Sequence, residues 1–324
     1  MRAVQVTRLD GPEAVEVLEV PEPHADAGQL VVDVHAAGVA FPDALLTRGR
    51  YQHKPAPPFT PGSEVAGVVR SAPEGCGFAP GDRVIGLTGL GEGMAQVVVL
   101  PPENVFALPD AVSFEAGAGI LFNDLTVHFA LAERGRLATG ETVLVHGAAG
   151  GIGTSALRIA GLLGAGRIIA VVSTEAKAEV ARTAGATDVV LTEGWLAAVR
   201  ELTGGRGVDV VLDPVGGDRF IDSLRALAPS GRLLVVGFTA GDIPTVKVNR
   251  LLLNNIDVVG VGWGAWFMSH PGYLAQQWAE LEPLLASGEL MPPEPQAFPL
   301  EQAGAAIGAL ERREALGKVV LLTR

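Results

Sequence analysis

Residues 142–153 read TVLVHGAAGGIG, and this stretch decides the fold of the chain. It opens with a short apolar run, residues 143–145, of the kind that a buried parallel strand shows. Four glycines follow, at positions 147, 150, 151 and 153. Apolar residues then recur at helical spacing, at positions 152, 156, 159, 160 and 163. The stretch therefore predicts a strand, a tight glycine turn and a helix in immediate succession.

The order strand, glycine turn, helix is the context in which a glycine fingerprint indicates dinucleotide binding. Without side chains at Gly150 and Gly151 the backbone approaches a pyrophosphate closely, and Gly153 lets the helix pack tightly on the strand. The free amides at the helix start, that of Ile152 included, and the positive end of the helix dipole then face the phosphates. The alternative is a structural glycine turn that holds no ligand.

The composition sets the broad class of the protein. With 324 residues and 48% hydrophobic content, the chain is long enough for two domains with their own cores. The net charge of −12 argues against nucleic acid or an anionic membrane surface as the main partner, since both reward basic patches. The single cysteine, Cys76, excludes a disulfide framework and fits a reducing, cytoplasmic compartment. We expect neither a signal peptide nor a membrane span, because the N-terminus lacks an apolar core and no apolar run reaches about 18 residues.

The first third of the chain is predicted to be rich in β-strands. Turn residues such as Asp10 and Gly11 separate short apolar segments, and one short helix is expected at residues 42–47, where Pro42 suits a first helical position. Many short strands with such punctuation indicate a small barrel. The expected strands are residues 3–7, 15–20, 30–37, 64–69, 82–86 and 95–100.

From about residue 121 onward the pattern alternates between strands and helices. Six strands with intervening helices predict an α/β fold with a doubly wound parallel sheet. Ligands of such a sheet bind at the carboxyl ends of its strands, where Ser173, Val215, Gly237 and Phe238 fall. The expected strands are residues 143–145, 168–172, 188–191, 208–213, 233–237 and 258–261, and the helices after the first are 175–183, 196–202 and 220–227.

The end of the second strand of this sheet bears on the choice of cofactor. An NAD site places Asp or Glu there, about 20 residues past the glycines, to hold the ribose 2′-hydroxyl. Here Ser173 and Thr174 follow the strand, and their neutral hydroxyls do not repel a 2′-phosphate. Lys177 comes one helical turn later, within reach of a phosphate, and its alternative role is that of a surface lysine. Glu175 argues the other way but lies past the strand end, so the pattern favours NADPH.

Three pieces of the first third, taken with the glycine turn, carry a family resemblance. They are AGVAFPDALLTRGRY at 37–51, PGSEVAGVV at 61–69 and GDRVIGL at 81–87. With these motifs ahead of GAAGGIG, the chain resembles the medium-chain dehydrogenase/reductase superfamily, and most of all its zinc-free, NADPH-dependent quinone oxidoreductase branch. The resemblance implies a GroES-like barrel domain at residues 1–120 and 265–324, a Rossmann dinucleotide-binding domain at 121–264, and a homodimer paired through the sheet edge of the nucleotide domain.

Two positions predict that the protein holds no metal. Zinc-bearing relatives carry a Cys in the segment matching residues 39–43 and a Gly-His-Glu at residues 62–64, whereas this chain has Ala40 and Ser63. The histidines, at positions 24, 35, 53, 128, 146 and 270, show no ligand spacing and are expected to be surface or core residues. Quinone reductases of this branch usually have Asn at the position of Ala40. Because alanine cannot hydrogen-bond a carbonyl, the substrate preference of the branch does not transfer directly.

Several residues are candidates for the substrate side of the site. The resemblance implies that Thr126 lies near the nicotinamide, although this threonine also fits a helix lining. Tyr51 matches the tyrosine that related enoyl reductases carry as a proposed proton donor, and its alternative role is packing beside a Pro-rich loop. Ala40 and Phe41 are expected to line the acceptor pocket. Trp263 begins an aromatic cluster that either walls a flat apolar pocket or packs a domain or oligomer interface.

The predicted lack of a metal bears on the reaction. Nothing obvious then stabilises the alkoxide of an alcohol oxidation, whereas a conjugated acceptor spreads the charge itself. The sequence therefore predicts an enzyme, a zinc-independent oxidoreductase that transfers a hydride from NADPH to a quinone or an activated C=C bond (enone). One alternative is an enoyl-thioester (enoyl-CoA) reductase, for which Arg48, Arg50 and Lys54 offer a basic patch. The other is a nucleotide-binding scaffold that has lost catalysis.

Overall fold

Two sheets organise the computed structural model, which describes residues 1–324. The strands are β1 (Arg2–Val6), β2 (Val15–Glu19), β3 (Leu30–Val39), β4 (Glu64–Ser71), β5 (Arg83–Leu87), β6 (Val97–Leu100), β7 (Val105–Ala107), β8 (Thr142–His146), β9 (Arg167–Val172), β10 (Asp188–Leu191), β11 (Val208–Asp213), β12 (Leu227–Val235), β13 (Asp257–Gly260), β14 (Gln296–Pro299) and β15 (Val319–Leu322). The helices are α1 (Phe41–Thr47), α2 (Phe114–Gly117), α3 (Leu121–His128), α4 (Gly151–Leu162), α5 (Glu175–Thr183), α6 (Trp195–Leu202), α7 (Phe220–Ala226), α8 (Asn249–Asn254), α9 (Trp263–Ser269), α10 (Tyr273–Ala286) and α11 (Ala303–Glu311). None of these helices is both long enough and apolar enough to span a bilayer.

Residues Asn123–Pro271 form one compact unit, the α/β unit, around a six-stranded sheet. The strand order is β10-β9-β8-β11-β12-β13, and every pairing is parallel. The order reverses between β8 and β11, which makes their carboxyl ends the topological switch point where ligands of such sheets bind. The predicted doubly wound parallel sheet is confirmed.

The core of the α/β unit explains why its strands have few polar residues. Residues 143–145 of β8 have no exposed surface. Leu144 packs in one cluster with Ile169, Val211 and Leu233 from the neighbouring strands and with Trp195 from α6. Helices cover both faces of a parallel sheet, so its strands become continuous apolar runs.

Residues Met1–Phe122 and Gly272–Arg324 form the second unit, the β unit. Its main sheet has the order β14-β15-β3-β4-β5-β7, and β6 also pairs with β3. The pairings are antiparallel except that of β14 with β15. The hairpin β1-β2 connects to the rest through bridges from Ala3 to Ala95 and from Val6 to Phe59. Strand β15 lies between β14 and β3, so the C-terminal residues complete a sheet that the N-terminal residues begin.

Some elements differ from the sequence-based expectation. The strand expected at residues 233–237 begins directly after α7, as β12 (Leu227–Val235), and its pairing with β11 shifts register at Val208/Val210. Strand β7 and helix α2 are not predicted, because three or four residues are too few to show a period. A π-helix, Phe129–Arg134, directly continues α3. The two units divide after Phe122 and after Pro271, compared with the proposed boundaries at residues 120 and 264.

Candidate functional site

The glycine turn lies at the switch point of the α/β unit. Strand β8 ends at His146, and Gly147 then takes a left-handed conformation with φ of 59°, which turns the chain toward α4. Gly150 is the N-cap residue of α4, and no side chain caps the helix. The first backbone bond of the helix runs from the Thr154 amide to the Gly150 carbonyl, at 2.8 Å. The amides of residues 151–153 precede that bond, so they are donors that a ligand can use.

The glycines of the turn differ in the space around them. A Cβ on Gly153 would lie 2.5 Å from Ala148 Cα and closer still to the Gly147 carbonyl oxygen, so only glycine allows this turn to pack on the helix. A Cβ on Gly150 would meet only the Gly147 carbonyl oxygen, at 3.4 Å. The structure therefore leaves room in front of the uncapped amides, as a backbone cradle for an anion requires.

The end of β9 presents hydroxyl groups and a lysine. Ser173 and Thr174 are exposed, and Thr174 caps α5 by accepting a hydrogen bond from the Lys177 amide at 3.3 Å. Lys177 therefore lies in the first turn of α5, four residues after Ser173 in the chain. Glu175 forms an ion pair with Arg182 at 2.9 Å, which offsets its negative charge.

The loops that follow β11 and β12 contact each other at the carboxyl ends of these strands. The Asp213 carboxylate accepts hydrogen bonds from the amides of Val215 (2.8 Å) and Gly216 (2.9 Å). The Val215 carbonyl accepts from Ala240 at 2.9 Å, and a Cβ on Gly216 would lie 2.9 Å from the ring of Phe238. Burial raises the pKa of the Asp213 carboxyl, and the two amides oppose that rise. Both backbone groups of Val215 are thus in use, and its side chain is buried.

His146 is a structural residue at the end of β8. Ser223 Oγ donates to the Arg219 carbonyl, so the 2.9 Å contact between His146 Nε2 and Ser223 Oγ has the histidine as donor. The ring packs edge-on against Trp195, with centroids 4.8 Å apart. Burial, together with the positive charge of Arg219, lowers the pKa of His146 to about 3. The ring is therefore neutral at physiological pH.

Helix α3 brings polar side chains next to the glycine turn. The side-chain nitrogen of Asn123 lies 2.6 Å from the place that a Cβ on Gly151 would take. Asp124 is fully buried and forms a 2.8 Å ion pair with Arg158 of α4. Thr126 is also buried on this helix. Thr126 is the predicted site residue of this helix, while the contacts of Asn123 and Asp124 join positions far apart in the chain.

In the β unit, Asp43 joins the two segments in which zinc-bearing relatives carry ligands. Its carboxylate accepts hydrogen bonds from the amides of Ala40 (2.8 Å) and Gly62 (3.0 Å). Burial raises the pKa of Asp43 to about 6, although both hydrogen bonds lower it. An acidic residue three positions after the start of a helix is the sequence pattern of such a cap. Asp43 could therefore have been found from its spacing to Ala40.

The remaining substrate candidates differ in exposure. Tyr51 is partly buried, which raises its pKa; a hydrogen bond with the Gln52 side chain lowers it, and the charge of Asp43 raises it. Phe41 is half-buried at the start of α1. Trp263 is buried in α9 and packs against Phe267, with ring centroids 4.8 Å apart.

Comparison with known proteins identifies the family. The model described as alcohol dehydrogenase GroES-like domain matches residues 26–110, and the one described as zinc-binding dehydrogenase matches residues 151–287. The quinone oxidoreductase-like protein 2 of Bos taurus is 35% identical over 323 residues, which cover 99% of this chain and 92% of that protein. The chain belongs to the medium-chain dehydrogenase/reductase superfamily, in its quinone oxidoreductase branch.

Solved structures from this superfamily share the whole fold. A probable oxidoreductase from Mycobacterium abscessus is 46% identical with a TM-score of 0.90, over 99% of this chain and 98% of that one. The quinone oxidoreductase of Thermus thermophilus, described together with its complex with NADPH, is 34% identical with a TM-score of 0.85, over 99% of this chain and 100% of that one. The α/β unit and the β unit thus have counterparts in both relatives.

In this chain Glu64 forms an internal ion pair. Glu64 Oε1 lies 2.6 Å from Lys318 Nζ, and Oε2 accepts a hydrogen bond from the Phe122 amide at 2.9 Å. Both charged side chains are buried. No group of three or more His, Cys, Asp or Glu side chains is arranged to hold a metal ion. Zinc independence stays a prediction, and Ala40 and Ser63 are its basis.

Proposed function

We propose that the protein is an NADPH-dependent reductase that transfers a hydride to a quinone or to an activated C=C bond. The observation that carries this proposal is the uncapped first turn of α4, where no side chain caps the amides of residues 151–153 and Gly150 leaves open space beside them. Its place at the switch point of a parallel sheet suits a dinucleotide. The quinone oxidoreductase relatives support the same activity for this chain.

Three sets of residues in the α/β unit would each hold one part of the cofactor. Gly150, Gly151, Ile152 and Gly153 would hold the diphosphate by amide donors and the helix dipole. Ser173 and Lys177 would hold the 2′-phosphate, since the first is neutral and the second is a cation. Thr126, Val215, Gly237 and Phe238 would line the nicotinamide end.

The bound cofactor supplies the hydride, so the chain has to orient the acceptor, exclude water and donate a hydrogen bond to the developing oxyanion. Tyr51 is the proposed donor, with Ala40, Phe41 and Trp263 beside the acceptor. Its partial burial keeps the hydroxyl protonated, because the pKa is raised. We propose that no metal takes part, because Asp43 holds Ala40 and Gly62 by their backbones and Glu64 is paired with Lys318.

The cofactor proposal is tested by fluorescence titration with NADPH and NADH. We expect NADPH to bind at least about tenfold more tightly, which corresponds to about 1.4 kcal/mol. Equal affinities would refute the roles of Ser173 and Lys177.

Exhaustive chelation is expected to leave turnover unchanged, whereas inactivation that zinc reverses would refute the metal-free mechanism.

The acceptor is tested by a turnover screen with quinones, enones and enoyl-CoA esters under NADPH. Turnover of quinones or enones supports the proposal, and turnover of enoyl-CoA esters alone would favour a thioester reductase. The structure offers that alternative little support, since Arg48 forms a two-point ion pair with Glu311 and is engaged within the β unit. Tight NADPH binding without turnover of any acceptor would indicate a non-catalytic scaffold.

We propose a homodimer formed through the outer edge of β13. This strand ends the sheet, and α8 beside it in the chain exposes Leu252 and Leu253 at 76% and 73%; Val248, which precedes α8, is exposed as well. A two-fold axis at such an edge brings the same patch of the two subunits together, so that the patch is buried on both. Sedimentation of a Leu252→Lys/Leu253→Lys variant is expected to give monomer, and an unchanged sedimentation coefficient would refute this interface.

The single free cysteine supports a cytoplasmic location, which cell fractionation tests.

A further inference from the structure

A buried ion pair joins α3 to α4 beside the glycine turn. Arg158 Nη2 lies 2.8 Å from Asp124 Oδ1. The Asp124 side chain has no exposed surface, and that of Arg158 is 13% exposed. Both helices belong to the α/β unit at this point, and 34 residues separate the partners in the chain.

The pair is poorly suited to stabilise the fold by itself. Asp124 Oδ2 is buried and makes no hydrogen bond, and the same holds for Arg158 Nε and Nη1. Desolvating two charges costs several kcal/mol per ion, which a single contact repays only in part. A pair of apolar side chains of similar size would hold the helices together equally well or better. Stability therefore gives no reason for charged residues at these two positions.

The position of the pair suggests another role. Asp124 directly follows Asn123, whose side-chain nitrogen packs on Gly151 in the first turn of α4. Arg158 lies on α4 itself, two turns after Gly151. A directional contact between the two helices fixes how α3 is rotated about its axis, which apolar packing does less strictly. It thereby fixes where Asn123 and Thr126 stand relative to the amides of the first turn.

We propose that Asp124 and Arg158 are positioning residues for the cofactor site. Neither touches the reacting atoms; the pair holds the polar side chains of α3 in register with the phosphate-binding turn of α4. This inference rests on the proposed binding of NADPH by that turn. A misplacement of about 1 Å at such a site changes rates or affinities by up to about a hundredfold.

The test compares three variants in cofactor titration, kinetics and thermal unfolding. Arg158→Met alone leaves a buried carboxylate unpaired and is expected to lower the thermal midpoint. The double variant Asp124→Leu/Arg158→Met removes both charges, so its midpoint is expected to return to the wild-type value. Its Kd for NADPH is nevertheless expected to rise about tenfold, and its KM for NADPH likewise, with kcat at saturating NADPH within about twofold of wild type.

Arg167→Met is the matched control. Arg167 pairs with Asp188 at 2.7 Å in the same unit, at the amino ends of β9 and β10, away from the glycine turn. We expect this variant to lower the thermal midpoint without changing the Kd for NADPH. If the double variant regains stability and binds NADPH within about twofold of wild type, the positioning role is refuted. If wild-type protein itself fails to bind NADPH, the proposed function fails instead, so the two outcomes are distinguishable.

Discussion

The two glycines at the ends of the first turn of α4 should respond to the same substitution in different ways. In Gly153→Ala the added Cβ meets backbone, with Ala148 Cα at 2.5 Å, so the turn itself has to move. Such overpacking costs about 1–3 kcal/mol. In Gly150→Ala the Cβ has 3.4 Å to its nearest neighbour, and φ of −90° with ψ of 179° suits alanine. That change is expected to be close to neutral, because the lost freedom of the unfolded chain is offset by alanine being a poorer N-cap residue than glycine.

Cofactor affinity should separate the same variants further. The Gly150→Ala methyl group occupies space in front of the uncapped amides, so NADPH is expected to bind at least about tenfold more weakly although the protein is fully stable. Thermal unfolding without cofactor measures the first effect, at about 2–4 °C per kcal/mol for a unit of this size, and fluorescence titration measures the second. Wild-type affinity in Gly150→Ala, or equal loss of stability in both variants, would contradict the cradle described here.

Three further predictions concern single residues. Lys177→Ala should weaken NADPH in a fluorescence titration and leave NADH unchanged; a matching loss for both cofactors would make the lysine structural. Gly38→Ala should destabilise by about 1–3 kcal/mol in urea unfolding, because its Cβ would lie 2.6 Å from Glu64 Cγ, and an unchanged midpoint would contradict this packing. His146 has a pKa lowered from 6.5 to about 3, so its contribution to stability is fully present above pH 6.5 and is lost as the pH falls toward 3. His146→Phe should therefore flatten the decline of unfolding free energy over that range, and parallel curves would show that His146 does not cause it.

Local sequence patterns predict much of the fold. Helix α5 and strands β10 and β11 begin and end at the predicted residues; the apolar runs of the two strands are bounded by turn residues such as Gly194 and Gly207, and Thr174 caps the helix. Short, right-handed crossovers then restrict the strand orders that such a parallel sheet can take. The glycines likewise predict the tight turn that joins β8 to α4.

Contacts between distant residues are what the sequence does not reveal. Asp124 and Arg158 are 34 residues apart, and Arg48 and Glu311 are 263 apart. No period or motif connects such partners, since only the folded chain brings them together. Arg48 in particular resembles a free surface cation in the sequence and is an ion-pair partner in the structure. Asp43 is intermediate, because its hydrogen bond to Ala40 is local and its bond to Gly62 is not.

The insertion of β15 between β14 and β3 has a consequence for the newborn polypeptide. Strand β3 ends at Val39, but its neighbour β15 begins only at Val319. At about 5–20 residues per second, a ribosome needs roughly 15–55 s to make the intervening chain. Residues 123–271 are contiguous, so the α/β unit is translated in full while the edge of β3 still lacks its neighbour. An open strand edge is a template for aggregation, so the emerging N-terminal segment has to be protected from pairing with other chains until β15 has been made.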